Sequence, residues 1–381
     1  MLGSLGDVVS PIPVPEFLRS FQDKRRLHIR AVDPTRAESL LRWQDIETMI
    51  AMHGFDGIEA MQNGMSIPPQ LYQGEPDMSA FHDVLAQGAS LVIKHIHLHL
   101  PPIQWLATAI ERQMGFPVGV NAYLSFSTGG AFKPHWDRHD VLVVQVHGRK
   151  TWTVWDATFK NPIEKSQHAQ HDITDAPSEQ LELAPGDVLY LPRGEPHAAS
   201  VSGGDSVHLT FGLDSLNGVD LLQQLNNAAG QDEFLRTDIP PQGAERRLLD
   251  YEAELKTRLH RLVDTLDVSA FLRESDANRA PVRQACLAPF EEPTDLLRLT
   301  LRRRIPLPDE ANGQSQAVTI GGAAYALSPA AIDVLRLLFA RDGQSRGALI
   351  EALSSRHDEP AASAAVRELS RLGFLMTDRA V

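Results

Sequence analysis

Cysteine is nearly absent from this chain: Cys286 is the only one in 381 residues. One thiol makes no intrachain disulfide and no cysteine-based zinc cluster, so the sequence reads as a protein of a reducing cytoplasm. Long apolar runs are missing as well, since nothing approaches the roughly 18 consecutive residues of a membrane-spanning helix. The opening stretch "MLGSLGDVVSPIPVPEFL" has neither a basic start nor a sustained apolar segment, and it does not read as a signal peptide. No internal repeat or low-complexity tract is found. Positive charge is in deficit, with 36 Lys and Arg against 49 Asp and Glu, a formal net charge of −13. Such a surface repels phosphates, which weighs against nonspecific nucleic-acid binding. It suits a basic protein or peptide partner, and it equally serves plain solubility.

What remains is an ordinary globular composition, 43% hydrophobic and 22% charged, with length for two or three domains. Residues 14–115 read mostly as helix with short strands. "VPEFLRSFQDKRRLHIRAV" suggests a helix running into a strand, and "PTRAESLLRWQDIETMIAMHG" a helix closed by Gly54. "PPIQWLATAIERQMGFP" is a further amphipathic helix that opens on Pro101 and Pro102 and stops at Gly115. From about 118 to 213 the texture changes to short β-branched or aromatic segments between Gly, Pro and Asp, as in a β-sandwich or barrel. Within it, "VLVVQVHGRKTW" reads as a buried, hairpin-like pair of strands.

Helical periodicity returns at 216–285. Leu248, Tyr251, Leu255, Leu259, Leu262 and Leu266 recur at steps of three and four, a seam that needs either the same chain or a second copy to cover it. Residues 290–381 read as a small winged-helix unit. Ser328-Pro329 starts one helix, "SRGALIEALSS" supplies a second, and "AASAAVRELSRLG" a third before the strand "FLM". Residues 328–381 carry seven Arg and seven Asp or Glu, net zero, so a structural or protein-binding role is expected rather than DNA reading. The expected organisation is a first domain over 1–215 that holds the strand-rich region, a helical region over 216–288 and a winged-helix domain over 289–381.

The segment "KPHWDRHD" carries the chemistry. On a strand, residues two apart point the same way, so His135 and Asp137 can face one cavity. Sixty residues after Asp137, "GDVLYLPRGEPH" ends a strand in a Pro-Arg-Gly turn and delivers His197. Two imidazoles and one carboxylate on one face match the donor set of non-haem Fe(II) oxygenases, which keep three coordination positions open. An isolated H-x-D means little; joined to the later G-D-V-L-Y-L-P-x-G-x-x-H inside a strand-rich region, it means much more. His139 continues the alternation, but a fourth protein ligand would close a position that oxygen chemistry needs, so it is read as lying behind the ligands or facing substrate. His168 and His171, in "KSQHAQHD", read as solvated. Lys150, fifteen residues past His135 in a strand-rich barrel, would need a buried anion; the plain alternative is a solvated hairpin lysine.

"NAYLSFSTGGAFKPHWDRHDVLVVQVHGRKTW" together with "PGDVLYLPRGEPHAASVSGGDSVHLTFG" resembles the JmjC-type cupin oxygenases that include the bacterial arginyl and eukaryotic histidyl ribosomal oxygenases. The upstream "LHIRAV" and "MQNGMSIPPQLY" are similar to the N-terminal part of that family. The resemblance implies an α+β fold: a double-stranded β-helix, or jelly-roll, barrel with N-terminal helices, a helical dimerisation region and a C-terminal winged helix. It implies Fe(II) on His135, Asp137 and His197, and 2-oxoglutarate with its distal carboxylate on Lys150. Asn121 and Tyr123 match co-substrate pocket positions; Thr210 and His208, at alternate positions on the last barrel strand, read as lining that pocket or equally as packing in the core. The activity implied is oxygen-dependent hydroxylation of a protein or peptide, of which a basic ribosomal protein is one instance. The same chemistry on a small molecule or biosynthetic peptide, N-methyl-lysine demethylation, and a non-catalytic binding cupin are the other readings. Two departures, the "STGGAFKP" loop and Trp136 where Tyr is common, lie near the mouth and bear on substrate identity.

Overall fold

The computed structural model describes residues 2–51, 57–62, 64–68, 78–126, 132–163, 173, 176–277, 292–308 and 314–377. Gly54, His168, His171 and Cys286 lie outside the described residues. Two compact units divide the chain, Met1–Ser215 and Leu216–Val381.

In the first unit, α1 (Leu5–Val9) and α2 (Val14–Gln22) lead into the short strand β1 (Leu27–Ile29). The next helix, α3 (Trp43–Ala51), begins later than the pattern suggests. Pro34–Leu40 form turns instead, because side chains there bond the backbone more locally than a helix allows. Asp33 accepts from both the N–H and the hydroxyl of Thr35. The Arg36 guanidinium donates to the carbonyls of Asp7, Ser10 and Gly186, so it reaches away from any helix of its own. After β2 (Ile58–Gln62), β3 (Met65–Ser66), α4 (Met78–Ala86) and β4 (Ser90–Ile93) comes α5 (Pro101–Met114). Gly115, at φ 82°, ends that helix in the left-handed conformation, as its position in the sequence implies.

The barrel follows as β5 (Val118–Ser125), β6 (Asp140–His147), β7 (Lys150–Val154), β8 (Glu179–Leu183), β9 (Val188–Leu191), β10 (His197–Val201) and β11 (Ser206–Leu213). An eight-stranded antiparallel sheet runs β1-β9-β6-β11-β5-β4-β2-β3, and a three-stranded sheet β10-β7-β8 lies against it. Alternation decides what each strand contributes. Val141 and Val143 of β6 and Leu189 and Leu191 of β9 point between the sheets, onto Trp152, Val154, Leu181 and Leu183. Leu142, Val144, Val188 and Tyr190, one residue out of phase, pack outward on the helices. This is the jelly-roll architecture expected from the sequence.

One expectation fails here. β6 and β7 are not a hairpin: β6 pairs with β9 and β11, and β7 with β8 and β10. The chain crosses from one sheet to the other at Gly148. Its φ is +64°, and a Cβ there would sit 1.9 Å from the Asp205 carbonyl oxygen. Sequence neighbours thus land on opposite walls of the barrel.

A buried ion pair fastens the N-terminal segment to this barrel. Lys24 reaches both carboxylate oxygens of Asp140 at 2.8 and 3.0 Å, and the Tyr190 hydroxyl donates to the same carboxylate at 2.9 Å. Asp140 is fully buried, so its charge depends on these donors.

The second unit opens with α6 (Gly218–Ala229), α7 (Glu245–Asp264) and α8 (Val268–Ala277), in which no described side chain is buried. Beyond them, β12 (Leu296–Leu299), β13 (Gln316–Ile320), β14 (Ala323–Leu327), β15 (Gln344–Ser345) and β16 (Leu375–Thr377) form the sheet β15-β12-β16 and the hairpin β13-β14. Three helices, α9 (Pro329–Ala340), α10 (Arg346–Leu353) and α11 (Glu359–Arg371), share an apolar core with them through Leu335, Leu349, Leu369 and Phe374. Ser328, Ser345 and Asp358 cap these helices, each accepting a backbone N–H three residues on.

Gly148→Ala is expected to cost at least about 3 kcal/mol of stability, since it adds a backbone clash to the left-handed strain. Gly204→Ala, at φ 72° with open space around it, should cost only about 1 kcal/mol. Paired denaturant unfolding curves check the difference.

Candidate metal and co-substrate site

His135, Asp137 and His197 come together, each offering one ligand atom, with all three atoms within 4.8 Å of one another. Backbone hydrogen bonds hold them there. The stretch carrying His135 and Asp137 is not a regular strand; it touches the sheets at a single antiparallel bridge, His135 to His197. In that bridge His135 N–H donates to the His197 carbonyl at 3.1 Å, and His197 N–H donates back at 2.7 Å. Gly194 N–H donates to the Asp137 carbonyl at 3.0 Å, tying the second part of the segment to the turn before β10. Gly194 has φ 85°, and a Cβ there would lie 2.8 Å from the Phe159 carbonyl oxygen, so only glycine fits this turn without rearrangement.

The imidazole tautomers follow from their partners. His135 Nδ1 lies 2.9 Å from the Lys133 carbonyl oxygen, and His197 Nδ1 lies 3.0 Å from that of Glu195. A carbonyl only accepts, so each Nδ1 carries the hydrogen, and each Nε2 lone pair is left for a ligand role. The His197 Nε2 is 3.7 Å from an Asp137 carboxylate oxygen, and the two imidazole centroids are 4.6 Å apart. Two neutral imidazole nitrogens and a carboxylate oxygen are the donor set of a borderline-hard divalent metal.

Beside the cluster lies a cavity of about 70 Å³ between the sheets, whose walls include Tyr123, Ser125, Phe132, Lys150, Trp152, His208 and Thr210. Strand parity explains the membership. Tyr123 and Ser125 are the inward positions of β5, Lys150 and Trp152 those of β7, and His208 and Thr210 those of β11. Their outward neighbours, such as Leu124 and Leu209, belong to the helix-covered core.

Lys150 is buried, so the solvated-hairpin alternative does not hold. Its Nζ donates to Ser125 Oγ at 3.1 Å and lies 3.3 Å from His208 Nδ1. Ser125 in turn shares a 2.6 Å hydrogen bond with Ser90. Both partners of the lysine are uncharged groups. Burial therefore pushes the Lys150 ammonium down to about 7. Burial, then the neighbouring Lys150 and His197, hold His208 well below its ordinary value. The His208 ring stacks flat on Tyr123, centroids 4.9 Å apart, with Trp152 edge-on at 5.4 Å. Tyr123 is pushed up to about 12, by burial first and then by Asp137, so its hydroxyl keeps its proton.

Not every residue picked from the sequence sits here. Asn121 is set back from the cavity: its side-chain oxygen accepts the His95 N–H at 2.9 Å, and its amide is hydrogen-bonded to Tyr123. It holds the turn that leads into α5. His139, which the sequence reading set aside as a ligand, lies outside the ligand cluster, with its ring over Gly212, where a Cβ would come within 2.9 Å. The strand alternation that suggested it breaks down because residues 136–139 are not in a strand. Ser125 and Ser90 were not picked. Ser125 was within reach, being two residues beyond Tyr123 on the same face; Ser90 lies on another strand and carries no local signal.

Comparison with known proteins adds a family context. The JmjC domain model matches residues 95–221. Over 251 residues the chain is 28% identical to the bifunctional lysine-specific demethylase and histidyl-hydroxylase NO66 of Aedes aegypti, covering 61% of this chain and 39% of that protein. It is 26% identical over 299 residues to ribosomal oxygenase 2 of Rattus norvegicus, covering 71% of this chain and 62% of that one. The chain thus spans less than two-thirds of the length of these relatives. Among solved structures, the ribosomal oxygenase YcfD of Escherichia coli superposes with a TM-score of 0.59 at 17% identity, over 97% of this chain and 99% of the other. A structure of YcfD with cobalt and 2-oxoglutarate gives a TM-score of 0.58 at 16% identity, with the same coverage. At these identities the structural likeness speaks for the fold.

Asp137→Ala is expected to abolish stoichiometric Co(II) binding while leaving the fold intact, because Asp137 stands in no sheet ladder. Titration of Co(II) by its visible absorption, beside a circular dichroism spectrum, checks both parts. Gly194→Ala should weaken Co(II) binding by about 10-fold or more through the displaced ligand segment.

Proposed function

The chain is a member of the JmjC ribosomal oxygenase family, and we propose that it is an Fe(II)- and 2-oxoglutarate-dependent dioxygenase that hydroxylates a side chain of a protein or peptide. The observation that carries this reading is the pairing of the two-histidine, one-carboxylate cluster with a cavity lined also by a buried lysine. The donor chemistry fits Fe(II), and the lysine fits the distal carboxylate of 2-oxoglutarate.

When bound, the iron and its co-substrate supply oxygen activation with loss of CO₂ and formation of succinate. The protein's own residues do the placing. His135, Asp137 and His197 would hold the metal. Lys150 would pair with the distal carboxylate, with the Ser125 hydroxyl and the protonated Tyr123 hydroxyl as further donors, and Thr210 beside them on the wall. Trp152 and Phe132, which also line the cavity, would keep water from these contacts, and a dry environment strengthens each of them. His208 stays neutral against Lys150.

The net charge of −13 supports a basic protein substrate, with ribosomal proteins first to be tried. In the second unit, Leu222, Leu249, Leu259, Val263 and Leu272 are exposed on α6–α8. So much unburied apolar surface supports a homodimer formed through this helical region. We read the three helices and small sheet beyond it as a winged helix with a structural or protein-binding role rather than a DNA-reading one, and the three domains as 1–215, 216–288 and 289–381. The single cysteine supports a cytoplasmic location.

Anaerobically Fe(II)-loaded protein should release succinate from 2-oxoglutarate when oxygen is admitted, and His135→Ala should not. Incubated with ribosomal proteins, the wild type should add the mass of one oxygen to one of them. Iron and 2-oxoglutarate bound with no ribosomal protein modified would exclude that substrate class. For the dimer, analytical ultracentrifugation should give twice the chain mass, and Leu259→Glu with Leu272→Glu should give the monomer.

A further inference from the structure

Lys150 is the cavity's only Lys or Arg among the described residues, and it has no buried anion to pair with. β5 turns Ser125 and Tyr123 toward it and β11 turns His208. β8 and β10, on either side of β7, bring Leu183 and Val201 alongside it, neither charged. Across the cavity stand His135, Asp137 and His197, the last two engaged with each other at 3.7 Å. A charged ammonium enclosed by a hydroxyl and a neutral imidazole has lost its water without gaining a counter-charge, so the uncharged amine is the favoured form above neutral pH. His208 cannot share the burden, because a second charge beside the lysine is opposed by burial and by repulsion alike.

We propose that the empty site holds Lys150 as a neutral amine at physiological pH, and that 2-oxoglutarate enters together with a proton taken from solvent. This rests on the co-substrate reading given above and adds its pH dependence. The distal carboxylate supplies the counter-charge that the pocket lacks, and the amine takes up one proton to become the ammonium that pairs with it. The sign follows: the lysine's free-state value of about 7 is raised in the complex. Binding is therefore strongest below neutral pH and weakens as pH rises, approaching tenfold per unit until the bound-state value is reached. Rising acidity in this range favours the loaded site.

Isothermal titration calorimetry of 2-oxoglutarate into the full-length chain, loaded with Co(II) under anaerobic conditions, tests this at pH 8 in phosphate and in Tris. Heats that differ between the buffers by close to one proton taken up per ligand are expected, with Kd rising nearly tenfold from pH 8 to pH 9. Lys150→Arg, which stays charged, should bind 2-oxoglutarate with no proton uptake and a flat pH dependence. If that variant does not fold, Lys150→Met serves in its place and should lose both the uptake and most of the affinity. Tight binding with equal heats in both buffers would overturn the inference while leaving the co-substrate site standing. Uptake that persists in the lysine variants would overturn it by assigning the proton elsewhere. No 2-oxoglutarate binding at all would overturn the site reading, and the inference with it.

Discussion

Two backbone hydrogen bonds between His135 and His197 hold this site together. They join a segment that belongs to no regular strand to the first residue of β10, and so bring two imidazoles from distant parts of the sequence within ring contact. Backbone pairing makes no demand on side-chain identity, which leaves both rings for a ligand role. The neighbouring turn completes the frame, as Gly194 anchors Asp137 and the Glu195 carbonyl orients the His197 ring. A metal arriving here meets donors whose rotations are already restricted, and less of the binding energy is spent on ordering them.

The opposite wall is built on another principle. Lys150, Ser125 and His208 stand on three strands of two different sheets, and each faces inward because β-strands alternate. That Lys150 shares a sheet with His197, on the neighbouring strand, depends on the crossing at Gly148, which moves the chain from the large sheet to the small one. The metal side is held by bridge and turn, the co-substrate side by sheet parity. The β7–β10 register sets the spacing of Lys150 from His197, while the distance of both from Ser125 and His208 is set by how the sheets pack through Val141, Val143, Trp152, Leu183 and Leu189.

Much of this was legible because strands advertise their faces. The strand-rich texture of 118–213, the stop of α5 at Gly115 and the grouping of His135 and Asp137 with a histidine ending "GDVLYLPRGEPH" could all be read locally. Information that depends on which strands become neighbours could not. Ser90 meets Ser125 only because β4 pairs with β5, and no spacing announces it. The hairpin reading of "VLVVQVHGRKTW" failed because a glycine between two apolar runs marks a turn without saying whether the runs pair. His139 was set aside on the chemistry of the site, and the alternation that offered it does not hold in a backbone that is no regular strand. The turns over 34–40 defeated a helical pattern because Asp33 and Arg36 found backbone partners that propensity does not weigh. The Lys24–Asp140–Tyr190 network, closed over 116 residues of chain, left no sequence trace.

The segment bearing His135 and Asp137 contributes a single bridge to the sheets, whereas the co-substrate wall is woven into ladders on both sides. Substitutions at residues 132–134 thus disturb few of the hydrogen bonds that hold the barrel closed, while changes on β5, β7 or β11 disturb many. The segment that presents two of the three donors is tied to the barrel by far fewer bonds than the strands that present Lys150, Ser125 and His208.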